Sequence, residues 1–251
     1  MIRSACRATD GDARGGDAAA RHRQCLPAMG YRLAPDISFC DPGGQRIFLD
    51  VRNDRYFAFG AASDLSMTRL IAGESLDDQD VSHLTAMAAA DILIATADAP
   101  RPACCAAPAT MSSILDRDDL PSPPLLATLH AAMRLRRAKA MLRHTSLAQM
   151  VRRFRLAKAR LATAERSATI DTALRLATAF QAAARLVDAL DQCLPLSFAL
   201  AHRALQHRLP VDMLIGVKLR PFEAHAWVQS EGTVLSDRLD AVQPYTPILA
   251  L

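Results

Sequence analysis

The first 28 residues show no hydrophobic period and consist largely of Ala, Arg, Asp and Gly. Such a stretch buries too little apolar surface to offset the entropy of ordering, so disorder is expected there. Patterned sequence begins at Tyr31, which makes Met29 a candidate translation start. Three short runs follow at Ile37–Cys40, Arg46–Val51 and Arg55–Phe59, rich in aromatic and β-branched residues. The turn formers Asp41-Pro-Gly-Gly44 and Arg52-Asn-Asp54 separate them. This pattern predicts a three-stranded antiparallel meander.

The period then becomes helical. Ser63 or Asp64 is placed to cap a helix through Leu65, Met67, Leu70 and Ile71, which Gly73 stops. Asp80 is placed to cap a second, with Val81, Leu84, Met87, Ala88, Ile92 and Leu93 on one side. Strands followed by helices predict a winged-helix-like module at 29–97. Residues 98–124 hold six of the 14 prolines and read as a linker. From Leu125 to Leu190 the chain is rich in Ala, Leu and Arg at helical spacing. Ile170, Ala173, Leu174, Ala177, Phe180, Ala184 and Val187 share one face. Strands return at Val211–Val217, Ala224–Val228 and Thr233–Leu235, the last two joined by Ser230-Glu-Gly232. The fold class is therefore α+β, with a second domain at 125–251.

Composition removes several classes. The chain has 251 residues, of which 51% are hydrophobic and 22% charged, ordinary values for a globular protein. No apolar run approaches the ~18 residues of a membrane span. The N-terminal arginines precede no apolar core, so they form no secretory signal. Six Cys are too sparse for a disulfide framework, and a reducing cytoplasm is the expected compartment. Charge is uneven. Residues 31–133 carry 7 basic and 14 acidic side chains, whereas residues 134–192 carry 13 basic and 4 acidic. Such asymmetry points to two modules. The basic segment can attract a polyanion, or form a solvated helical face beside the acidic module.

Candidate chemistry lies around Asp191-Gln-Cys-Leu-Pro-Leu-Ser-Phe-Ala-Leu200. Cys193 stands at a predicted helix start, where the positive end of the dipole favours thiolate. His225 lies 32 residues on, in a strand, and Asp237 follows 12 residues later, at the end of the next. A thiol on a helix tip, an imidazole on one strand and a carboxylate on its neighbour make a workable nucleophile–base–acid layout. The alternatives are a buried structural Cys193 and a half-buried strand His225.

The string Cys193-Leu-Pro-Leu-Ser-Phe-Ala-Leu200, with His225-Ala-Trp-Val228 and Val234-Leu-Ser-Asp237, resembles the transglutaminase-like domain of lasso-peptide leader peptidases. The Ile215-Gly-Val217 strand also fits, and the resemblance spans about residues 125–251. Tyr31 to Ala97 resembles, in the order of its elements, the PqqD-like leader-recognition domains of peptide-modifying pathways. Together they resemble the fused, single-chain form of the leader peptidase. The resemblance implies a transglutaminase-like, papain-like cysteine protease that removes the leader from a ribosomally made lasso precursor. Cys193 would be the nucleophile, His225 the base, and Asp237 the group that orients the imidazole. The Cys193 backbone N–H would stabilise the oxyanion, with Gln192 or Trp227 as candidate second donor; Trp227 alternatively packs in the core. Arg55, Tyr56, Phe57 and Phe59 would pair with the leader, and Leu84, Met87 and Ala88 would line the adjoining groove. The alternative for these residues is the module's own core. The freed core peptide would pass to an asparagine-synthetase-like, ATP-dependent cyclase.

No cofactor or metal is expected. Cys104-Cys105 has no second ligand pair at matching spacing, His202 and His207 fall on poorly matched helix faces, and no Gly-rich phosphate loop exists. Nucleic-acid binding is disfavoured because the winged-helix-like half is the acidic one. Transglutaminase-type acyl transfer on the same three residues, or a non-catalytic leader-binding scaffold, are the rival functions.

Overall fold

The structure, a computed structural model, describes residues 30–96, 100–161, 169–187 and 192–251. The disorder expected for 1–28 and the start at Met29 lie outside these residues. β1 (Gly30–Leu33) opens the N-terminal module. The meander follows as β2 (Ile37–Cys40), β3 (Ile47–Asp50) and β4 (Arg55–Phe57), antiparallel in that order. Helices α1 (Ala61–Ala72) and α2 (Asp78–Ala89) come next, then β5 (Leu93–Thr96). β5 pairs with β1, a two-stranded sheet the sequence pattern did not reveal. Leu93, expected on the second helix, instead begins this strand.

Two helix starts differ from expectation. Gly60 precedes α1 without a side-chain cap, while Gly73 closes it in the left-handed conformation at φ 74°. Asp77 caps α2, and Asp80 is the third helical residue that returns the bond in a capping box. Asp80 is also tied to α1, accepting hydrogen bonds from Arg69 at 2.7 Å and Ser66 at 2.8 Å. The Arg69 bond is the main reason its carboxyl titrates low, at about 2.

The run Ile47-Phe-Leu-Asp50 is apolar without alternation because both faces of its sheet are covered. Phe39 and Phe48 point into a core with Tyr31, Met67, Leu84 and Met87. Cys40, Ile47, Leu49 and Val51 point the other way, into the core of the second domain. The modules are thus joined by shared apolar burial, the main driving force in folding, as well as by the chain.

The stretch expected as a linker is also built into the second domain. β6 (Ser112–Ser113) pairs parallel with Thr233–Val234, and a single 3-10 turn follows at Ile114–Asp116. Helices α3 (Leu125–Leu142), α4 (Leu147–Leu161), α5 (Ile170–Leu186) and α6 (Cys193–Gln206) form one layer. On α5, Ala173, Ala177, Phe180 and Ala184 are buried as expected, whereas Ile170 is exposed. The other layer is a five-stranded sheet. It contains β7 (Asp212–Lys218), β8 (Glu223–Ser230), β9 (Thr233–Val234) and, after the short helix α7 (Leu239–Val242), β10 (Thr246–Ala250). Its order is β10-β7-β8-β9-β6. Glu231 and Gly232 take positive φ in the β8–β9 turn, the conformation a two-residue hairpin requires. The result is an α+β fold: a small N-terminal sheet with helices, and a helical layer on a mixed sheet.

Candidate active site

α6 begins at Cys193. Its first intrahelical bond runs from the Leu196 N–H to the Gln192 carbonyl, so among the described residues the N–H groups of Cys193 and Leu194 have no helical partner. Pro195 suits this first turn, where its missing N–H costs nothing. β9 pairs with β8 only at Gln229 and Ser230. Beyond it, Leu235 and Ser236 satisfy Val228, and α6 satisfies Ala226. The Ala226 N–H donates to the Cys193 thiol, and the Ser197 hydroxyl donates to the Ala226 carbonyl at 2.9 Å. Cys193 and Ser197 stand one helical turn apart, so two contacts clamp the helix tip beside His225.

His225 Nε2 lies 3.3 Å from Asp237 Oδ1 and is shut off from solvent. That leaves Nδ1 for the hydrogen bond with Cys193. The three expected residues therefore converge. Asp237 stands in a bend after β9, three residues past the strand end where it was expected. Small buried groups aim it. The Ser236 hydroxyl donates to Asp237 Oδ2 at 2.5 Å and accepts from the Val228 N–H at 3.0 Å. Ser113 of β6 donates to the Asp237 carbonyl at 2.5 Å, and Gln181 of α5 donates to the Ser236 carbonyl. None of Ser197, Ser236, Ser113 and Gln181 was singled out from the sequence. The available signal was a serine inside the apolar run of α6 and another directly before the acid.

Electrostatics follow from this packing. Burial alone would raise the Cys193 thiol, but hydrogen bonds from His225 and the Ala226 N–H carry it below its ordinary value. Burial alone would lower His225, but Asp237 and Cys193 hold its proton, and it titrates at about 9. The pair accordingly favours thiolate and imidazolium.

Trp227 is not an oxyanion donor, contrary to one expectation. It is 1% exposed, and its indole N–H donates to Gln229 Oε1 at 3.3 Å. Its ring lies nearly parallel to that of His225, with centroids 6.4 Å apart, while Tyr245 flanks the imidazole at 5.2 Å. Gly216, directly across from His225, lets both rings approach: a Cβ there would lie 2.8 Å from Trp227 Cζ3 and 3.0 Å from Tyr245 Cβ. Gln192 is exposed beside Cys193.

The predicted leader groove is corrected in part. Leu84 and Met87 are fully buried among the module's own aromatics and line no groove; Ala88 packs partly buried at their edge. Phe57 and Phe59 are half-buried against Phe48, and Arg55 is exposed over the Phe57 ring. Tyr56 faces the other domain. Its ring meets Phe222 edge-on at 5.4 Å. Burial, followed by the charges of Asp54, Cys193 and Cys40, raises its phenol to about 12, so Tyr56 lies within electrostatic reach of Cys193.

A helix-tip cysteine packed on a sheet whose strand presents His, with Asp in the bend that follows the next strand, is the layout of thiol acyl-transfer enzymes. Consistent with it, the family model of the transglutaminase-like superfamily matches residues 125–250, half of the chain. The chain belongs to that superfamily, whose members generally are cysteine proteases and acyl transferases. No curated protein and no solved structure matches the chain. No helix among the described residues is long and apolar enough to cross a membrane.

Proposed function

We propose that this chain is a cysteine peptidase that removes the leader from a lasso-peptide precursor. The carrying observation is that Cys193, His225 and Asp237 converge, and that Tyr56, a residue of the N-terminal sheet's edge strand, lies within electrostatic reach of Cys193 and packs against the same apolar core. Among the described residues β4 pairs only with β3, so its outer edge is open to an extended peptide. A leader bound along Arg55–Phe59 would deliver its C-terminal end past Tyr56 toward the thiol.

In the reaction, the Cys193 thiolate attacks the carbonyl carbon of the last leader residue. The oxyanion forms next to the Cys193 N–H at the start of α6, with the Gln192 side chain as second donor. Collapse breaks the C–N bond, and His225 gives its proton to the leaving amine of the core peptide. Water, deprotonated by His225, then hydrolyses the thioester. Asp237 holds the imidazole and its charge throughout. The core peptide's free amine is then the group an asparagine-synthetase-like cyclase would join to a side chain.

Mass spectrometry of a lasso precursor incubated with the protein tests this reading. Expected is a leader with a free carboxylate and an intact core, absent with Cys193→Ala. Cleavage by both proteins removes Cys193 from the mechanism. Joining of the leader to an added amine, with no hydrolysis, makes the chain a transferase.

A further inference from the structure

A second concave site lies between α3, α5 and α6, in a cavity of about 260 Å³. Arg134 and His130 come from α3, Arg175 from α5, Arg203 from α6, and His207 from the residue that closes α6. Its apolar floor includes the buried Ala131, Ala179 and Phe180. Among the described residues no carboxylate lines it. Among the described residues, none of the three guanidinium groups forms an ion pair with an acid. Arg134 Nε instead meets His130 Nε2 at 3.3 Å, and Arg203 meets the Gln206 amide oxygen at 3.2 Å.

Three arginines from three helices thus converge without an anion to balance them. Burial and the neighbouring guanidiniums hold both His130 and His207 below the ordinary histidine range, as mutual repulsion requires. The arrangement is rigid, because the backbones that present it belong to packed helices. Arg203 and His207 lie 10 and 14 residues past Cys193 on α6, roughly 15–20 Å along the axis at ~1.5 Å per residue. The cavity is therefore remote from the thiol.

We propose that this cavity binds a small phosphate-bearing anion. Guanidinium forks match phosphate oxygens in pairs, and three of them suit a group with more than one negative charge. The cavity's size fits a pyrophosphate or a mononucleotide, whose base would rest on the apolar floor; an acidic peptide would need a longer groove. The site takes up the polyanion attraction that the basic segment suggests, and it does not depend on the peptidase reading.

Isothermal titration of the full chain with inorganic phosphate, pyrophosphate and AMP tests the assignment, and the tightest of the three identifies the ligand. Expected is saturable one-to-one binding by at least one of them, weakened by added salt and unchanged in Cys193→Ala. The double variant Arg134→Gln/Arg203→Gln should weaken it by about tenfold or more, the loss expected for charged hydrogen bonds. The exposed Arg175→Gln should weaken it without affecting the fold, whereas Arg152→Gln on α4 should not change it. No saturable binding by any of the three, or equal weakening by Arg152→Gln, overturns the proposal.

Discussion

Replacing Gly216 by Ala tests whether the packing around His225 is as tight as the structure shows. Gly216 does not occupy the left-handed region, so the backbone alone would favour Ala by about 0.4–1 kcal/mol. The new methyl group, however, would meet Trp227 Cζ3 at 2.8 Å, Trp227 Cη2 at 2.9 Å and Tyr245 Cβ at 3.0 Å. The indole is buried and hydrogen-bonded to Gln229, so it cannot swing clear. Overpacking of this kind costs about 1–3 kcal/mol. The packing cost therefore exceeds the backbone gain, and a net loss of about 1–2 kcal/mol is expected in urea unfolding. Because both displaced rings flank His225, alkylation of Cys193 at neutral pH should also slow. Trp227→Phe removes the two closest contacts, both from the indole, and leaves only Tyr245 Cβ, so the double variant should recover stability relative to the sum of the singles. An unchanged or more stable Gly216→Ala, or the absence of that recovery, would refute the reasoning.

Ser236→Ala leaves the buried Val228 N–H unpaired and frees the Asp237 carboxylate; a stability loss of about 1–3 kcal/mol is expected in denaturant melts. Turnover should fall beyond what that loss explains, measured at a temperature where the variant is folded. Ser197→Ala leaves the Ala226 carbonyl without its α6 donor, with a similar cost and a slower Cys193 alkylation rate. Activity should follow a bell-shaped pH profile. It should fall on the alkaline side near pH 9, as His225 loses its proton, and on the acid side as Cys193 regains one below its ordinary value. The raised His225 also couples to folding. Its contribution is complete below about 6.5 and is lost as pH rises through about 9, which chemical melts at pH 6 and pH 10 would show.

Much of this architecture is legible in the chain. Turn formers between short β-branched runs mark the meander, and the hairpin at Ser230-Glu-Gly232 carries its own turn chemistry. Cys193 and His225 are recognisable because one starts a strongly patterned helix and the other lies within a strand, whereas Asp237 stands in a bend three residues past β9. What escaped depends on tertiary context. Periodicity placed Leu84 and Met87 correctly on the inner face of α2, but it cannot distinguish a groove from a core. Asp77 and Asp80 are both plausible caps, and only the geometry assigns the capping box. The prolines of 98–124 suggest a tether, whereas Ser112 and Ser113 add a strand to the sheet edge and a bond to Asp237. Pairings distant in sequence, such as β1 with β5, leave no local signature.

The central claim is that His225 activates Cys193 as a nucleophile. The most direct test is the rate of iodoacetamide alkylation of Cys193 across pH, read by peptide mapping in the parent and in His225→Ala. The parent midpoint is expected below that of an ordinary thiol. In the variant the His225 bond is gone and only the Ala226 N–H still favours the thiolate against burial and Asp237, so the midpoint should rise above the parent's. Coincident midpoints in the two proteins would contradict the claim.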